Sequence, residues 1–188
     1  MIKRIFDLFF AVIGLLILGW LLLVFSIIHY LFTGQSGLFV QERIGQYGKK
    51  FKIYKLRTIN TNSKGLAEVT VFSNFLRKSK IDELPQLYNI VINDMSFVGP
   101  RPDIQGYYDE LKGDDRKVLE LKPGITGLAS LKYSNEELIL ALQNNPEKYN
   151  DEVIFPDKVK MNLEYQKNQT LWLDIKIIFS TFSKIKLK

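Results

Sequence analysis

Residues 8–28 read LFFAVIGLLILGWLLLVFSII, a run of 21 residues without a charge. As an α-helix this run would be about 32 Å long, at about 1.5 Å per residue. The hydrocarbon core of a bilayer is about 30 Å thick, so the run is long enough to cross it. The run is too long for a cleavable signal peptide, and no small-x-small cleavage site follows it before Gln41. The sequence therefore predicts a membrane-embedded helix within residues 1–35.

Basic residues flank this run on both sides. Lys3 and Arg4 precede it, and the basic residues that follow are Arg43, Lys49, Lys50, Lys52, Lys55 and Arg57. Basic flanks of membrane helices stay on the cytoplasmic side, so a re-entrant helix that enters the membrane and returns would satisfy both flanks, whereas a single span would not. The alternative is a single span, with the later basic residues belonging to the folded domain that follows.

The composition limits the chemistry that the chain can perform. Its 188 residues carry 26 Lys and Arg against 20 Asp and Glu, a net charge of +6. Cys is absent and His29 is the only histidine, which excludes disulfide scaffolds, Cys-ligated zinc, thiolate catalysis and His triads. The positive charge is expected to attract anionic lipid and anionic substrates. No nucleic-acid recognition module accompanies it, so nucleic acid is not an expected partner.

Residues 36–188 are predicted to form one catalytic domain with a mixed, helix-rich α/β fold. Residues 38–42 and 51–56 have the pattern of a strand hairpin with its turn at Gly45 and Gly48. The predicted helical stretches are residues 71–80, 85–92, 102–121 (with breaks around Gly106 and Gly113), 135–143, 159–167 and 171–188. The last is amphipathic, which predicts a helix in the headgroup layer of a membrane; the alternative is a terminal helix packed on the domain's own core.

The candidate chemistry lies in residues 77–87, RKSKIDELPQL. Asp82 and Glu83 are adjacent carboxylates, which are most easily held ionised by a divalent cation or by nearby Arg and Lys. Glu83 could bind Mg²⁺ while Asp82 stays free to react. Arg77 and Arg101 are expected to lower the pKa of Asp82. The alternative is structural: Asp82 caps a helix and Glu83 complements the helix dipole.

A second candidate stretch is residues 94–102, DMSFVGPRP. Two prolines limit the backbone of Arg101, and a fixed guanidinium is a good clamp for a diphosphate. The alternative is a rigid loop that carries a solvated arginine. Lys55 and Arg57 follow a predicted strand and could add phosphate contacts, or be ordinary surface cations. No Walker sequence and no G-x-G-x-x-G occurs, so an ordinary nucleotide-binding fold is not indicated.

Seven stretches, in this order, resemble the bacterial sugar transferase family in its monotopic phosphoglycosyl transferase form. They are KRIFD (3–7), FVQERIG (39–45), FKIYKLRT (51–58), IDELPQL (81–87), DMSFVGPRP (94–102), KPGITG (122–127) and LDIKI (173–177). The series covers nearly the whole chain and is far more specific than any single stretch. Many family members have Ser-Pro in the middle of the membrane helix, where this chain has Gly19-Trp20.

The resemblance implies a reaction and roles for particular residues. The family moves a sugar 1-phosphate from a UDP-sugar to a polyprenyl phosphate, usually undecaprenyl phosphate, and releases UMP. Asp82 would be the nucleophile that forms an aspartyl phosphosugar intermediate, and Glu83 would bind Mg²⁺. The substrate-binding candidates are Lys55, Arg57, Arg77 and Arg101. The domain would face the cytoplasm at the bacterial inner membrane and initiate the assembly of a membrane glycan.

Two rival functions remain open at this stage. The chain could be an inactive relative that binds polyprenyl phosphate, or a scaffold that holds other assembly enzymes at the membrane. Asp82, Glu83 and Arg101 are all intact, which argues against an inactive relative. Partner candidates beyond the two substrates and membrane lipid are a second copy of this chain and downstream glycosyltransferases.

Overall fold

The computed structural model describes residues 1–61 and 67–183. By its internal contacts the chain divides into two compact units. The first comprises Met1–Glu42 and Phe51–Asn93, and the second comprises Arg43–Lys50 and Asp94–Lys188. Both contain helices and short strands, so the predicted helix-rich α/β class is confirmed. The domain boundary predicted at residue 35 stays a prediction.

The first unit begins with the long apolar helix α1, Ile2–Thr33, which ends at Gly34 with φ +66°. Among the described residues, only this helix is long and apolar enough to cross a membrane: the candidate span is Ile2–Leu31, and its most apolar 18-residue window has a mean hydropathy of 2.9. Leu16, Trp20 and Leu23 are each more than 60% exposed. The helix continues through Gly19 and Trp20 without interruption, and the re-entrant shape stays a prediction.

A hairpin follows, as the sequence predicts. Strand β1, Leu38–Ile44, pairs with β2, Lys50–Leu56, and a 3₁₀ turn over Gln46–Gly48 connects them. Gly48 takes φ +75°, a conformation that glycine adopts without strain. Two short antiparallel strands come next, β3 at Asn60–Thr61 and β4 at Ala67–Glu68.

The first unit closes with a helix, a turn and a second helix. Helix α2 spans Val71–Ser79, and the Thr70 side chain caps it by accepting a hydrogen bond from the Ser73 backbone N–H. A 3₁₀ turn over Ile81–Glu83 follows, and then α3 over Gln86–Val91. The predicted helices 71–80 and 85–92 are therefore confirmed to within one residue at each end. The turn between them carries the candidate carboxylates.

Helix α1 packs on α3 through its N-terminal half. Ala11 and Ile90 are fully buried, and a Cβ added to Gly14 would lie 2.9 Å from Leu87 Cδ1. The Arg4 guanidinium donates hydrogen bonds of 2.6 and 3.0 Å to the backbone carbonyls of Ile90 and Val91. A cation at these terminal carbonyls complements the negative end of the helix dipole. The membrane-length helix is thus fixed to the helix that follows the carboxylate turn.

The second unit is built around a short parallel pair that the sequence did not indicate. Strand β5, Ser96–Val98, pairs with β6, Gly124–Thr126, with Ser96 opposite Gly124 and Val98 opposite Thr126. There is no room for a side chain where Gly99, which follows β5, meets Gly124, the first residue of β6. A Cβ added to Gly124 would lie 2.1 Å from the Gly99 backbone N. This close approach explains why both stretches contain glycine, and it places the GPRP loop beside the KPGITG loop.

Within the described residues after β6, the chain forms five helices. They are α4 (Leu128–Lys132), α5 (Glu136–Ala141), α6 (Pro146–Tyr149), α7 (Phe155–Asn168) and α8 (Leu171–Ser183), with a π turn over Asn150–Ile154 before α7. The predicted helix 135–143 is confirmed as the shorter α5, and 159–167 is the C-terminal part of α7. The core of this unit contains Val98, Leu121, Tyr165 and Ile177 in one cluster.

The prediction of a largely α-helical segment over residues 102–121 is wrong. The structure has 3₁₀ turns at Tyr108–Glu110 and Gly113–Glu120 and irregular backbone before them. Gly106 and Gly113 take φ +101° and +57°, which interrupts a regular helix. The Asp109 carboxylate also accepts hydrogen bonds from the backbone N–H groups of Gly106 and Tyr107, and so competes with helical pairing.

Helix α8 has one buried and one exposed face. Asp174, Ile177 and Ser180 are buried, whereas Trp172 and Phe182 are 66% and 84% exposed. The helix is therefore amphipathic, as predicted. The predicted end of this segment, including Lys184, Lys186 and Lys188, lies outside the described residues, and its place in the headgroup layer stays a prediction.

Candidate active site

The carboxylates of Asp82 and Glu83 are buried in the 3₁₀ turn between α2 and α3. Asp82 is 8% exposed and Glu83 is 5% exposed. Helix α2 ends at Lys80, whose left-handed backbone (φ +61°) redirects the chain into the turn. The Glu83 N–H then donates to the Lys80 carbonyl at 3.1 Å. Two adjacent acids buried in one turn are not expected from capping alone, because an exposed position would serve a cap equally well.

Lys55 is the predicted substrate cation that the structure brings to this pair. It lies near the end of β2, and its Nζ is 3.4 Å from Glu83 Oε1. The Lys55 side chain is 20% exposed and that of Glu83 is 6% exposed, so the ion pair is largely withdrawn from water. Lys55 and Lys80 both act electrostatically on Asp82. Lys80 is a site residue that the sequence analysis did not single out.

Asn89 fixes this arrangement and was also missed from the sequence. Its side chain is fully buried on α3. The Asn89 amide donates to the Lys52 carbonyl at 2.7 Å, and its oxygen accepts from the Tyr54 N–H at 3.2 Å. Both partners are backbone groups of β2, just before Lys55. Asn89 therefore sets the register between the strand that carries Lys55 and the helix that follows Glu83.

The expectation that nearby arginines lower the pKa of Asp82 is wrong for the structure as described. Burial raises the pKa of the Asp82 carboxyl, and the neighbouring Glu83 charge raises it further. Lys55 and Lys80 oppose this rise without cancelling it. The Oδ1 atom of Asp82 is buried and has no hydrogen-bond partner among the residues that the structure describes. A buried, unsatisfied carboxylate oxygen is unfavourable in itself and marks a position prepared for another group.

The carboxylate pair fits a magnesium ion that is completed by substrate. In the part of the chain that the structure describes, no three His, Asp or Glu side chains gather into a self-sufficient metal cage. Mg²⁺ is commonly bound by one or two carboxylates together with substrate phosphates and water. Two buried carboxylates with an unpartnered oxygen supply that donor set, and Glu83 is the candidate ligand.

Arg57 and Arg77, the other predicted cations of the first unit, lie on elements around the turn. Arg57 follows β2; its Nε donates to the Ser36 carbonyl at 2.7 Å, and its guanidinium lies 5.7 Å from the centre of the Phe39 ring. These contacts give Arg57 a structural role at the connection from α1 to β1. Arg77 is half-buried in the last turn of α2, three residues before Lys80.

Arg101, the last predicted site residue, belongs to the second unit. It is exposed on the loop after β5. Burial lowers the pKa of Arg43, and the positive charge of Arg101 lowers it further. The Gly99 N–H donates to the Thr126 carbonyl, and the Gly124 N–H donates to the Pro100 carbonyl at 2.8 Å. The backbone on the N-terminal side of Arg101 is thus held by β6, which supports the predicted rigid loop. Its contribution to the carboxylate site stays a prediction.

A buried network of hydrogen bonds holds the backbone just before the loop that carries Arg101. Tyr165 on α7 donates a short hydrogen bond of 2.5 Å to Asp174 on α8. The same hydroxyl contacts the Val98 carbonyl, one residue before Gly99, at 3.3 Å. Tyr165 and Asp174 are each 1% exposed. The Asp174 of the LDIKI stretch therefore has a structural place, which sequence reasoning had left without a role.

A comparison with models of protein families shows the family to which the chain belongs. The model of the bacterial sugar transferase family matches residues 1–188. The chain therefore belongs to the bacterial sugar transferase family, as the resemblance of its seven stretches implied.

Curated relatives cover almost the whole chain. It is 30% identical over 205 residues to a galactosyl transferase, CpsE, of Streptococcus agalactiae, covering 98% of this chain and 42% of that protein. It is 30% identical to an undecaprenyl-phosphate galactose phosphotransferase of Salmonella typhimurium, covering 100% of this chain and 40% of that protein. An uncharacterized sugar transferase, EpsL, of Bacillus subtilis is 32% identical over 98% of this chain and 87% of its own length. The chain thus spans about two-fifths of the first two relatives.

Proposed function

We propose that the chain transfers a sugar 1-phosphate from a UDP-sugar to a polyprenyl phosphate, with Asp82 as the nucleophile. The observation that carries the proposal is the buried, unpartnered Oδ1 of Asp82 beside the buried Glu83. A purely structural carboxylate would have its oxygens satisfied, whereas a nucleophile needs an oxygen free to meet the substrate. The name of the Salmonella relative, an undecaprenyl-phosphate galactose phosphotransferase, supports the substrate class.

The first step forms a covalent intermediate on Asp82. An Asp82 carboxylate oxygen attacks the phosphorus that bears the sugar, and the bond from this phosphorus to the bridging oxygen breaks. UMP leaves with the electron pair, and the sugar phosphate remains as an acyl phosphate on Asp82. A carboxylate that attacks an anionic diphosphate meets charge repulsion, so the positive charge of Lys55 and Lys80 near the carboxylate is required.

The second step transfers the sugar phosphate to the lipid. A polyprenyl phosphate oxygen attacks the same phosphorus, the bond to Asp82 breaks, and the ionised carboxylate is regenerated. The product is a polyprenyl diphosphate sugar. Splitting the reaction in two means that the soluble and the lipid substrate need not occupy the site together.

Glu83 is the proposed metal ligand, and the cations have separate roles. Mg²⁺ bound there would neutralise charge on the diphosphate. Lys55, Arg77 and Arg101 are proposed to bind substrate phosphates. Arg57 would have to leave the Ser36 carbonyl in order to do so. The expected location is the bacterial inner membrane, with the site on the cytoplasmic face and α1 as the membrane anchor.

The decisive experiment separates the half-reactions. Full-length protein in detergent is incubated with UDP-galactose, and then with other UDP-sugars, in the absence of lipid. We expect a burst of about one equivalent of UMP and a mass adduct on the peptide that contains Asp82. Asp82→Asn, which keeps the shape and removes the charge, should abolish both and reduce turnover by about 10⁴ to 10⁶.

Metal dependence is tested in the same assay. Chelator should abolish the burst, and Glu83→Gln should lose activity while the domain stays folded. Full activity in excess chelator would exclude the metal role of Glu83. UMP release only when polyprenyl phosphate is present, with no adduct, would favour direct transfer. If no UDP-sugar releases UMP under any condition, the chain is the polyprenyl phosphate binder or membrane scaffold.

A further inference from the structure

We propose that Lys55 is the internal counter-ion of Glu83, and that a divalent cation must displace the Lys55 ammonium group to bind. The inference rests on the proposed function, because it concerns the metal assigned to Glu83. It goes further by assigning two successive roles to Lys55. The lysine forms an ion pair with Glu83 in the absence of metal, and the ion pair breaks when the metal binds.

The geometry makes Lys55 a cation held inside the site. Its Nζ is 3.4 Å from Glu83 Oε1, and both side chains are largely buried. A buried carboxylate is strongly unfavourable unless it is paired, and here two carboxylates share one turn. The Lys55 ammonium compensates this charge, because it pairs with Glu83 and also opposes the rise in the pKa of Asp82.

The ammonium and a metal ion compete for the same carboxylate. Mg²⁺ binds an oxygen ligand at about 2.0–2.1 Å, so a metal on Glu83 would come close to an ammonium held at the same oxygen. Two positive charges at this separation repel strongly in a site that is poorly accessible to water. One of them must therefore leave Glu83.

The side chain of Lys55 is the part that can move. Asn89 ties the β2 backbone to α3 through the Lys52 carbonyl and the Tyr54 N–H, so the strand is held just before Lys55. A lysine has a flexible four-carbon stem and a compact charge, which lets the ammonium swing away while its backbone stays in place. Its remaining function is then to meet the anionic diphosphate. Metal and UDP-sugar should consequently each increase the affinity for the other.

The test measures metal affinity in the absence of substrate. Mg²⁺ is titrated into the full-length protein in detergent by calorimetry, for the wild type, Lys55→Met and Lys52→Met. Lys52 is an exposed lysine on the same strand and provides a charge-matched control. A charge within about 4–6 Å shifts the binding of a unit charge by about one to three powers of ten. We therefore expect Lys55→Met to bind Mg²⁺ at least tenfold more tightly, with Lys52→Met unchanged, and to release UMP more slowly.

A measurement on the wild type covers the case in which Lys55→Met does not fold. Acylation of lysines by an amine-reactive reagent is followed by mass spectrometry with and without Mg²⁺. We expect Mg²⁺ to increase the modification of Lys55 severalfold and to leave that of Lys52 unchanged. Equal Lys55 reactivity in both conditions overturns the proposal.

The outcomes separate this inference from the proposed function. Unchanged or weaker Mg²⁺ binding by Lys55→Met, in a chain that still releases UMP, overturns the role of Lys55 and leaves the transferase intact. Tighter binding, in a chain whose wild type releases no UMP, supports displacement and contradicts the transferase. A wild type that binds no Mg²⁺ in the millimolar range overturns the displacement model directly.

Discussion

At the scale of single residues, the burial of Asp82 and Glu83 favours reactivity over stability. Burial of Asp82 raises the pKa of its carboxyl, the neighbouring Glu83 charge raises it further, and the Oδ1 of Asp82 has no hydrogen-bond partner within the described part of the chain. Lys55 and Lys80 offset part of this cost. A buried carboxyl whose pKa is raised in this way is typical of functional sites.

Asp82→Asn should stabilise the fold at neutral pH. The pKa of Asp82 is raised on folding, so the folded state holds its proton more tightly and stability falls as the pH rises from the unfolded to the folded pKa. The amide removes this penalty and can donate to Glu83. We expect the free energy of unfolding to rise by about 1 kcal/mol at pH 7. The gain should vanish below the unfolded pKa of about 3.9.

Thermal unfolding across pH checks this prediction. Asp114→Asn is the control, because Asp114 is exposed and its Lys117 partner lowers the pKa of its carboxyl. That variant should gain nothing at neutral pH. A lower unfolding temperature for Asp82→Asn than for the wild type at pH 7 would contradict the raised pKa.

Lys80→Met should raise the pH below which the rate of UMP release falls. The ionised form of Asp82 is the proposed nucleophile, so the UMP burst should slow as the pH falls through its pKa. Lys80 lowers that pKa, and its removal raises it. Methionine keeps the side-chain length at this left-handed position, which neither residue type favours. Single-turnover pH profiles should show the shift, together with a slower plateau at high pH because less charge repulsion is offset, and the exposed Lys78→Met should show neither change. Superimposable profiles would exclude Lys80 from the electrostatics of the site.

At the scale of elements, the site depends on contacts between segments far apart in the sequence. Arg4 joins the start of α1 to the end of α3, and Asn89 joins α3 to β2. In the second unit, Gly99 and Gly124 let β5 and β6 approach so closely that no Cβ fits between them. Each contact holds a loop or turn that carries a candidate site residue.

Asn89→Ala should weaken both the fold and the site. It leaves the Lys52 carbonyl and the Tyr54 N–H without their partner in a buried position, which costs about 1–3 kcal/mol. The unfolding temperature should fall by several degrees, and the UMP burst should slow because Lys55 loses its register. Asn74→Ala, at an exposed position on α2, is the control and should have little effect on either measurement. Wild-type stability in Asn89→Ala would show that β2 and α3 do not depend on this contact.

At the scale of the whole molecule, the long apolar helix and the carboxylate turn belong to the same compact unit. The hairpin turn and everything after Asn93 belong to the other. The proposed lipid substrate would have its phosphate at the membrane surface, so the proposed nucleophile, whose unit also contains the predicted membrane helix, is suited to reach it.

Both ends of the anchor should face the cytoplasm if α1 is re-entrant. The chain has no cysteine, so Ile2→Cys and Lys49→Cys each give a single labelling site. An impermeant thiol reagent should label both variants only after the cells are opened. Labelling of Ile2→Cys in intact spheroplasts would establish a full span. The basic flanks and the family resemblance motivate the expectation, since the uninterrupted helix is compatible with either topology.

Features that depend only on neighbouring residues could be predicted from the sequence. The membrane-length helix, the β1–β2 hairpin and helices α2 and α3 follow from local hydrophobic patterns and turn residues. The importance of Asp82 and Glu83 was visible as an adjacent pair of acids between cations, and the order of seven stretches identified the family.

Which side chains meet, and how deeply they are buried, depends on the folding of distant segments against each other. Lys55 precedes Glu83 by 28 residues, and Asn89 contacts a strand more than 30 residues away, so spacing could not reveal either contact. The pKa of Asp82 rises because desolvation by the folded unit outweighs the cations, and that balance depends on burial rather than on composition. The prediction of a helix over residues 102–121 was wrong for a different reason. Side-chain hydrogen bonds to the backbone and the glycine conformations outweighed the helical propensity of this segment.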